Sequence, residues 1–313
     1  MRVISGDICD QDRPSWAALS WAARTGPAGF MRLLARFGSA RAVIEADRKA
    51  LTAPSLKLTE MQIDSIVVGA RDLLDSVEEQ ISALGDDGIR VICSFEEGYP
   101  PALLDAANPP PVICVRGELT NGLALAIVGT REPTREGARV AREVAEACAR
   151  RGITVVSGLA RGIDTAAHRG ALDGEGRTLA VLGSGIRRIH PRRNIRLAGQ
   201  IAANGAIISA LPPDASPTGA RLMARNRLTS ALAGGVLAVE STNSGGTLQT
   251  VSDARKQGRL VFACDWQASR PQAEGTRSIL AEGGEPILGA DAIDLIEYML
   301  ANHEHRPDQQ SLL

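Results

Sequence analysis

The chain has 313 residues, 44% of them hydrophobic, which is enough for one large domain and a smaller one with cores that need no disulfide or metal staples. Its net charge of −1 excludes a uniformly basic nucleic-acid coat. The charge is nevertheless polarised: residues 129–227 carry 17 Arg, no Lys and 8 Asp or Glu, formally +9.

From Trp16 to Leu84 the pattern predicts short helices, with Phe30, Leu33, Leu34 and Phe37 at helical spacing, the turn Arg24-Thr25-Gly26-Pro27 before them and Gly38-Ser39 after. This resembles a small helix-hairpin-helix or SAM-like module, while the periodicity itself says only that several short helices pack together. A different style begins near Gly88, with a strand at 89–93 followed by irregular connections around Tyr99-Pro100-Pro101 and Pro109-Pro110-Pro111. Apolar runs at 125–129, 153–157, 178–183, 205–209, 235–240 and 260–263 then read as strands buried on both faces, separated by stretches suited to helices. Parallel strands need such crossovers, so the fold class expected is α/β: an extended Rossmann-like domain with a mostly parallel sheet at 85–300. It follows a helical domain at 1–84 and precedes a polar tail at 301–313.

Ligands of such sheets bind beyond the carboxyl ends of the strands, so the residues after each strand are the candidates. After the first strand of the alternating region comes Gly129-Thr130-Arg131, and after the next Ser157-Gly158-Leu159-Ala160-Arg161-Gly162-Ile163-Asp164. A third turn, Gly183-Ser184-Gly185, is trailed by Arg187 and Arg193, and Arg225-Asn226-Arg227 and Ser244-Gly245-Gly246-Thr247 follow. Glycine lets a backbone approach a ligand, free amides at a helix start attract a phosphate, and arginine adds a bidentate partner. His168 lacks a triad partner at any telling spacing and reads as a helix-packing residue; His190, before Pro191, shapes a loop. Asp164 reads as a helix cap, and His303 and His305 fall in the polar tail.

The five cysteines, Cys9, Cys93, Cys114, Cys148 and Cys264, form no CxxC pair and are odd in number, as expected of free thiols in a reducing compartment without a zinc site. No charged-then-apolar leader opens the chain and no apolar run approaches the ~18 residues that span a bilayer, so a cytoplasmic protein without membrane contact is expected.

Over roughly residues 85–283 the sequence resembles the DNA-processing protein A family, DprA. The likeness rests on Val128-Gly129-Thr130-Arg131, on Ser157 through His168, on Ala180-Val181-Leu182-Gly183-Ser184-Gly185 and on Arg225-Asn226-Arg227, in family order. It departs from the family pattern at Ser209-Ala210, at His190, at Ser244 to Thr250 and at Ala263-Cys264-Asp265-Trp266. No metal cluster or convincing nucleophile stands out, so a non-catalytic protein without a cofactor is expected; the resemblance implies its ligand and partners. It would bind single-stranded DNA, form a homodimer, protect incoming strands and load RecA in natural transformation or recombination. It further implies DNA-backbone contacts by Gly129, Thr130, Arg131, Ser157, Gly158, Arg161 and Arg225, with Gly162, Arg187, Arg193, Asn226 and Arg227 beside them. Two other readings stand next to it. One is a sensor that binds a nucleotide at the same edge. The other is a LOG-type nucleotide phosphoribohydrolase, whose signature Gly245-Gly246-Thr247 imitates, although Thr250 stands where that family has its carboxylate.

Overall fold

The computed structural model describes residues 12–266 and 271–303. Cys9, His305 and residues 304–313 of the expected tail lie outside the described residues. The chain divides into two compact units, one of residues up to Val115 with 210–212, the other of Arg116–Ser209 with the chain from Pro213 onward.

The first unit opens with α1 (Arg13–Ala22), α2 (Gly26–Phe37), α3 (Ala40–Glu45), α4 (Arg48–Leu51), α5 (Glu60–Asp64) and α6 (Arg71–Asp86), the last two joined by a π-helical stretch, Ser65–Ala70. Helix starts follow local chemistry: Ser39 accepts the Ala42 N–H at 3.0 Å, and Thr59 and Gln62 form a reciprocal capping box. Gly38 ends α2 at φ +85°, a conformation that favours glycine. The apolar faces meet around Trp16, whose ring lies 5.0 Å from Phe30 and 4.8 Å from Phe95, centroid to centroid. The unit continues through β1 (Ile89–Cys93), α7 (Pro101–Leu104) and its neighbour β2 (Val112–Gly117). The sequence pattern did not single out β2, because the proline run before it marks an irregular connection.

The second unit alternates β3 (Ala124–Val128), α8 (Arg135–Arg150), β4 (Thr154–Ser157), α9 (Ile163–Asp173), β5 (Thr178–Leu182), α10 (Ile195–Asn204), β6 (Ala206–Ser209), α11 (Gly219–Ala231), β7 (Gly235–Ala238), α12 (Gly246–Lys256), β8 (Leu260–Cys264), α13 (Glu274–Ala281), β9 (Glu285–Ile287) and α14 (Ile293–Asn302). Its strands lie in the order β6-β5-β4-β3-β7-β8-β9, every pair parallel. This is the extended Rossmann-like sheet expected of the sequence. The added strand β9 is three residues long and contains Pro286, which suits an edge position. From β3 the chain winds one way through β4, β5 and β6, then returns to the other side of β3 with β7. The strand ends between β3 and β7 are therefore the topological switch point, where the connecting loops diverge and leave a crevice. Leu125, Ile127, Val155 and Leu237 on the sheet pack against Val140, Val144 and Cys148 of α8 and Ile163, Ala167 and Ala171 of α9.

Candidate nucleic-acid interface

A cavity of about 530 Å³ opens at that switch point, within the second unit. Its lining draws on the β3–α8 loop (Gly129, Thr130, Arg131), the β4–α9 loop (Gly158, Ala160, Arg161), α11 (Leu222, Arg225, Asn226, Thr229) and the start of α12 (Gly245, Gly246, Thr247).

The two arginine-bearing loops are pressed together. The Ile163 N–H donates to the Thr130 carbonyl at 3.2 Å. Gly162 sits at φ +78°, and a Cβ there would come within 2.4 Å of the same carbonyl oxygen. Arg131 and Arg161 are exposed at the mouth. Arg161 lies 4.0 Å from Glu132, a surface contact of little energetic weight.

Below the mouth the charges are buried. Asp164, 7% exposed, accepts the N–H groups of Gly158 at 3.1 Å and Ala160 at 3.2 Å through one carboxylate oxygen. It thus ties down the loop ahead of its helix rather than capping the helix itself. Burial pushes the Asp164 carboxyl above its ordinary value, opposed by the positive Arg225 and by the two amides. Arg225 is also 7% exposed and donates from Nη1 to the Val181 carbonyl at 2.6 Å. Burial lowers its proton affinity, with Asp164 acting against the shift and Arg131 adding to it. The two oppositely charged groups favour each other across the floor of the cavity, and the Arg225 bond to Val181 ties α11 to β5.

His168 is fully buried on α9; Thr178 Oγ1 donates to the Val155 carbonyl at 2.8 Å, so it accepts from His168 Nδ1 at 2.7 Å. Burial, aided by the charge of Arg225, pulls the imidazole down to about 3, so it is neutral at physiological pH and packs as the sequence suggests.

The structure thus brings together Gly129, Thr130, Arg131, Gly158, Arg161, Arg225 and Asn226 around one cavity. It separates others. Ser157 is fully buried and donates its hydroxyl to the Ile127 carbonyl at 2.7 Å, stapling β4 to β3 instead of facing a ligand. Gly162 packs against the neighbouring loop. Arg187 lies 3.9 Å from Asp214, Arg193 is exposed on a short turn at Arg192–Asn194, and the Arg227 carbonyl accepts from Gln257 at 2.9 Å; none of the three lines the cavity. Asn226 donates to the Gly246 carbonyl at 3.0 Å, and Thr250 donates to the same carbonyl at 2.8 Å, so a bonded hydroxyl occupies the position of the LOG carboxylate.

One sequence expectation needs correction. The amides after β3 and β4 look free to cradle a phosphate, but three of them, those of Thr134, Gly158 and Ala160, donate to the protein's own carboxylates. Asp164 holds those of the β4–α9 loop, and Glu240, which ends the run through β7, accepts the Thr134 N–H at 2.9 Å and the Thr134 hydroxyl at 2.6 Å at the start of α8. Glu240 escaped the sequence reading because its partners lie 106 positions earlier; its place just beyond a strand at the switch point is the signal that could have found it. Among the described residues no His, Cys, Asp or Glu group could hold a metal ion, and no helix is long and apolar enough to cross a membrane.

Fold and site together define a Rossmann-type protein with an arginine-flanked cavity at the switch point of its sheet. The family model for DNA recombination-mediator protein A matches residues 90–299. Protein Smf of Escherichia coli is 37% identical over 250 residues, 76% of this chain and 66% of that one. The DNA processing protein DprA of Bacillus subtilis is 32% identical over 253 residues, covering 77% and 85%. Among solved structures, DprA of Streptococcus pneumoniae superimposes with a TM-score of 0.70 at 24% identity over 94% of this chain and 99% of that one, a likeness of fold. DNA processing protein A of Helicobacter pylori, a structure concerned with its single-stranded DNA binding mode, gives 0.61 at 26% identity over 69% and 97%. The chain belongs to the DNA recombination-mediator protein A family.

Proposed function

We propose that this chain binds single-stranded DNA at the switch-point cavity as a non-catalytic, cytoplasmic DNA-processing protein, shielding the strand and, as a homodimer, passing it to RecA in natural transformation or recombination. The observation that carries the reading is the placement of Arg131 and Arg161 at one mouth, on two loops whose nearby amides are already engaged by Glu240 and Asp164. Guanidinium forks suit phosphate oxygens and read no sequence. Among the described residues no aromatic side chain lines the cavity, so bases would rest on Leu222, Met223 and arginine planes rather than on stacking platforms. The Helicobacter relative, described by its single-stranded DNA binding mode, supports the same ligand here.

Fluorescence anisotropy with a labelled oligothymidylate at two salt concentrations tests the reading; absence of binding at low salt refutes it. A strand of about ten or more bases should bind far better than a mononucleotide, whereas a nucleotide sensor would saturate with the mononucleotide. Light scattering tests the dimer, which a monomeric mass removes.

A further inference from the structure

We propose that Glu240 is the positioning residue of the DNA contact made by Arg131; the inference rests on the single-stranded-DNA reading and assigns a role within that site. Residues 130–134 form the loop that carries Arg131 from β3 into α8, and Glu240 grips it at both ends. At the near end, the Thr130 N–H donates to the Glu240 backbone carbonyl at 2.8 Å. At the far end, one carboxylate oxygen of Glu240 accepts the Thr134 N–H at 2.9 Å and the other accepts the Thr134 hydroxyl at 2.6 Å. Thr134 Oγ1 accepts in turn from the Gly137 N–H at 3.0 Å, so the carboxylate, the hydroxyl and the first turn of α8 form one chain of bonds.

The geometry exceeds what a helix cap requires. Thr134 alone would cap α8, as Ser39 and Thr59 cap their helices without a buried carboxylate behind them. Glu240 is 0% exposed, and burying a carboxylate is costly unless donors and a favourable field surround it. Here they do: two donors from Thr134 and the positive end of α8 stabilise it. Room has been made for it as well, since a Cβ on Gly137 would come within 2.3 Å of the Glu240 carboxyl carbon. Between the two grips sits Arg131, exposed and with no ion-pair partner among the described residues. The carboxylate also fills the anion seat at the start of α8, so an incoming phosphate meets Arg131 rather than the helix terminus.

The test compares the full chain with Arg131→Ala, Glu240→Ala, Glu240→Gln and the double replacement Arg131→Ala/Glu240→Ala, by anisotropy with labelled oligothymidylate over a salt series, with circular dichroism for each. Glu240→Ala should weaken binding about tenfold, as loss of one charge-assisted contact would. It should also flatten the salt dependence by about 0.7 in log–log slope, the share of one phosphate contact on a single strand. In the Arg131→Ala background it should add nothing beyond about twofold, because the contact it positions is already gone. Glu240→Gln keeps the size and one acceptor oxygen and should fall between Glu240→Ala and the parent, and it carries the test alone if the alanine variant does not fold. Additive losses with a parental slope, or parental binding by Glu240→Gln, overturn the inference while the DNA reading stands. A parent chain that does not bind overturns the DNA reading itself, and this inference with it.

Discussion

Replacing Gly158 by alanine probes the buried charge pair without touching either charge. The new Cβ would lie 1.7 Å from Arg225 Nη1 and 2.3 Å from its Cζ, against the ~3.5 Å at which unbonded carbon and nitrogen atoms rest. The guanidinium must retreat by more than an ångström in a floor where it is 7% exposed, which breaks its 2.6 Å bond to the Val181 carbonyl and shifts it relative to the Asp164 charge. A hydrogen bond to a charged group contributes about 1.5–3 kcal/mol, and the crowding of the displaced group adds to its loss. The guanidinium is displaced, not removed, so a loss of about 3 kcal/mol is expected, or roughly 6–12 °C in Tm for a unit of this size. Urea unfolding of the parent, Gly158→Ala, Arg225→Ala and the double variant measures it. In the Arg225→Ala background the glycine replacement should cost almost nothing, because the clashing atoms are gone. A loss below about 0.5 kcal/mol in the parent background, or equal losses in both, would falsify the argument that Gly158 is there to seat the guanidinium.

Three further outcomes are expected. His168 titrates at about 3 when folded and near 6.5 when unfolded, so the unfolded chain gains the proton first on acidification. Its contribution to stability is complete above about pH 6.5 and is lost as pH falls toward 3, by up to about 1.4 kcal/mol per pH unit. The stability gap between the parent and His168→Gln, followed by urea unfolding from neutral pH downward, should narrow at that rate; a constant gap refutes the assignment. Arg131→Ala and Arg161→Ala should each flatten the salt dependence of DNA binding by about 0.7 in log–log slope, and unchanged slopes would place the phosphate contacts elsewhere. Ser157→Ala should lower stability by about 1–2 kcal/mol in urea unfolding while leaving the salt slope unaltered, because its hydroxyl serves the Ile127 carbonyl; a changed slope would return Ser157 to the ligand face.

How much of this was legible before the structure depended on whether the deciding interaction was local. Strands such as Ala124–Val128 and Thr178–Leu182 show themselves as apolar runs because both faces of the sheet are covered. The strand at Val112–Gly117 hid behind three prolines, and that at Glu285–Ile287 is too short and contains a proline. Arg131 and Arg161 could be found because glycine turns flag the strand ends. Ser157 and Arg225 were harder, since a sequence gives the place of a residue near a strand end but not the side to which it points. Asp164 reads as a helix cap and Glu240 as the end of a strand; only the folded chain shows that they accept the amides of Gly158, Ala160 and Thr134.

The grip of Glu240 on Thr134 joins positions 106 apart, and the bond from Arg225 to Val181 joins positions 44 apart. As the chain leaves the ribosome, both arginine loops emerge well before β7 exists to hold the first of them. Binding competence should therefore arrive abruptly once synthesis has passed Glu240 and the sheet has closed around β3, rather than accumulating turn by turn. A nascent or nicked chain that lacks β7 would carry the basic stretch without the assembled cavity, so a half-made copy would meet DNA as a charged coil and not as a receptor.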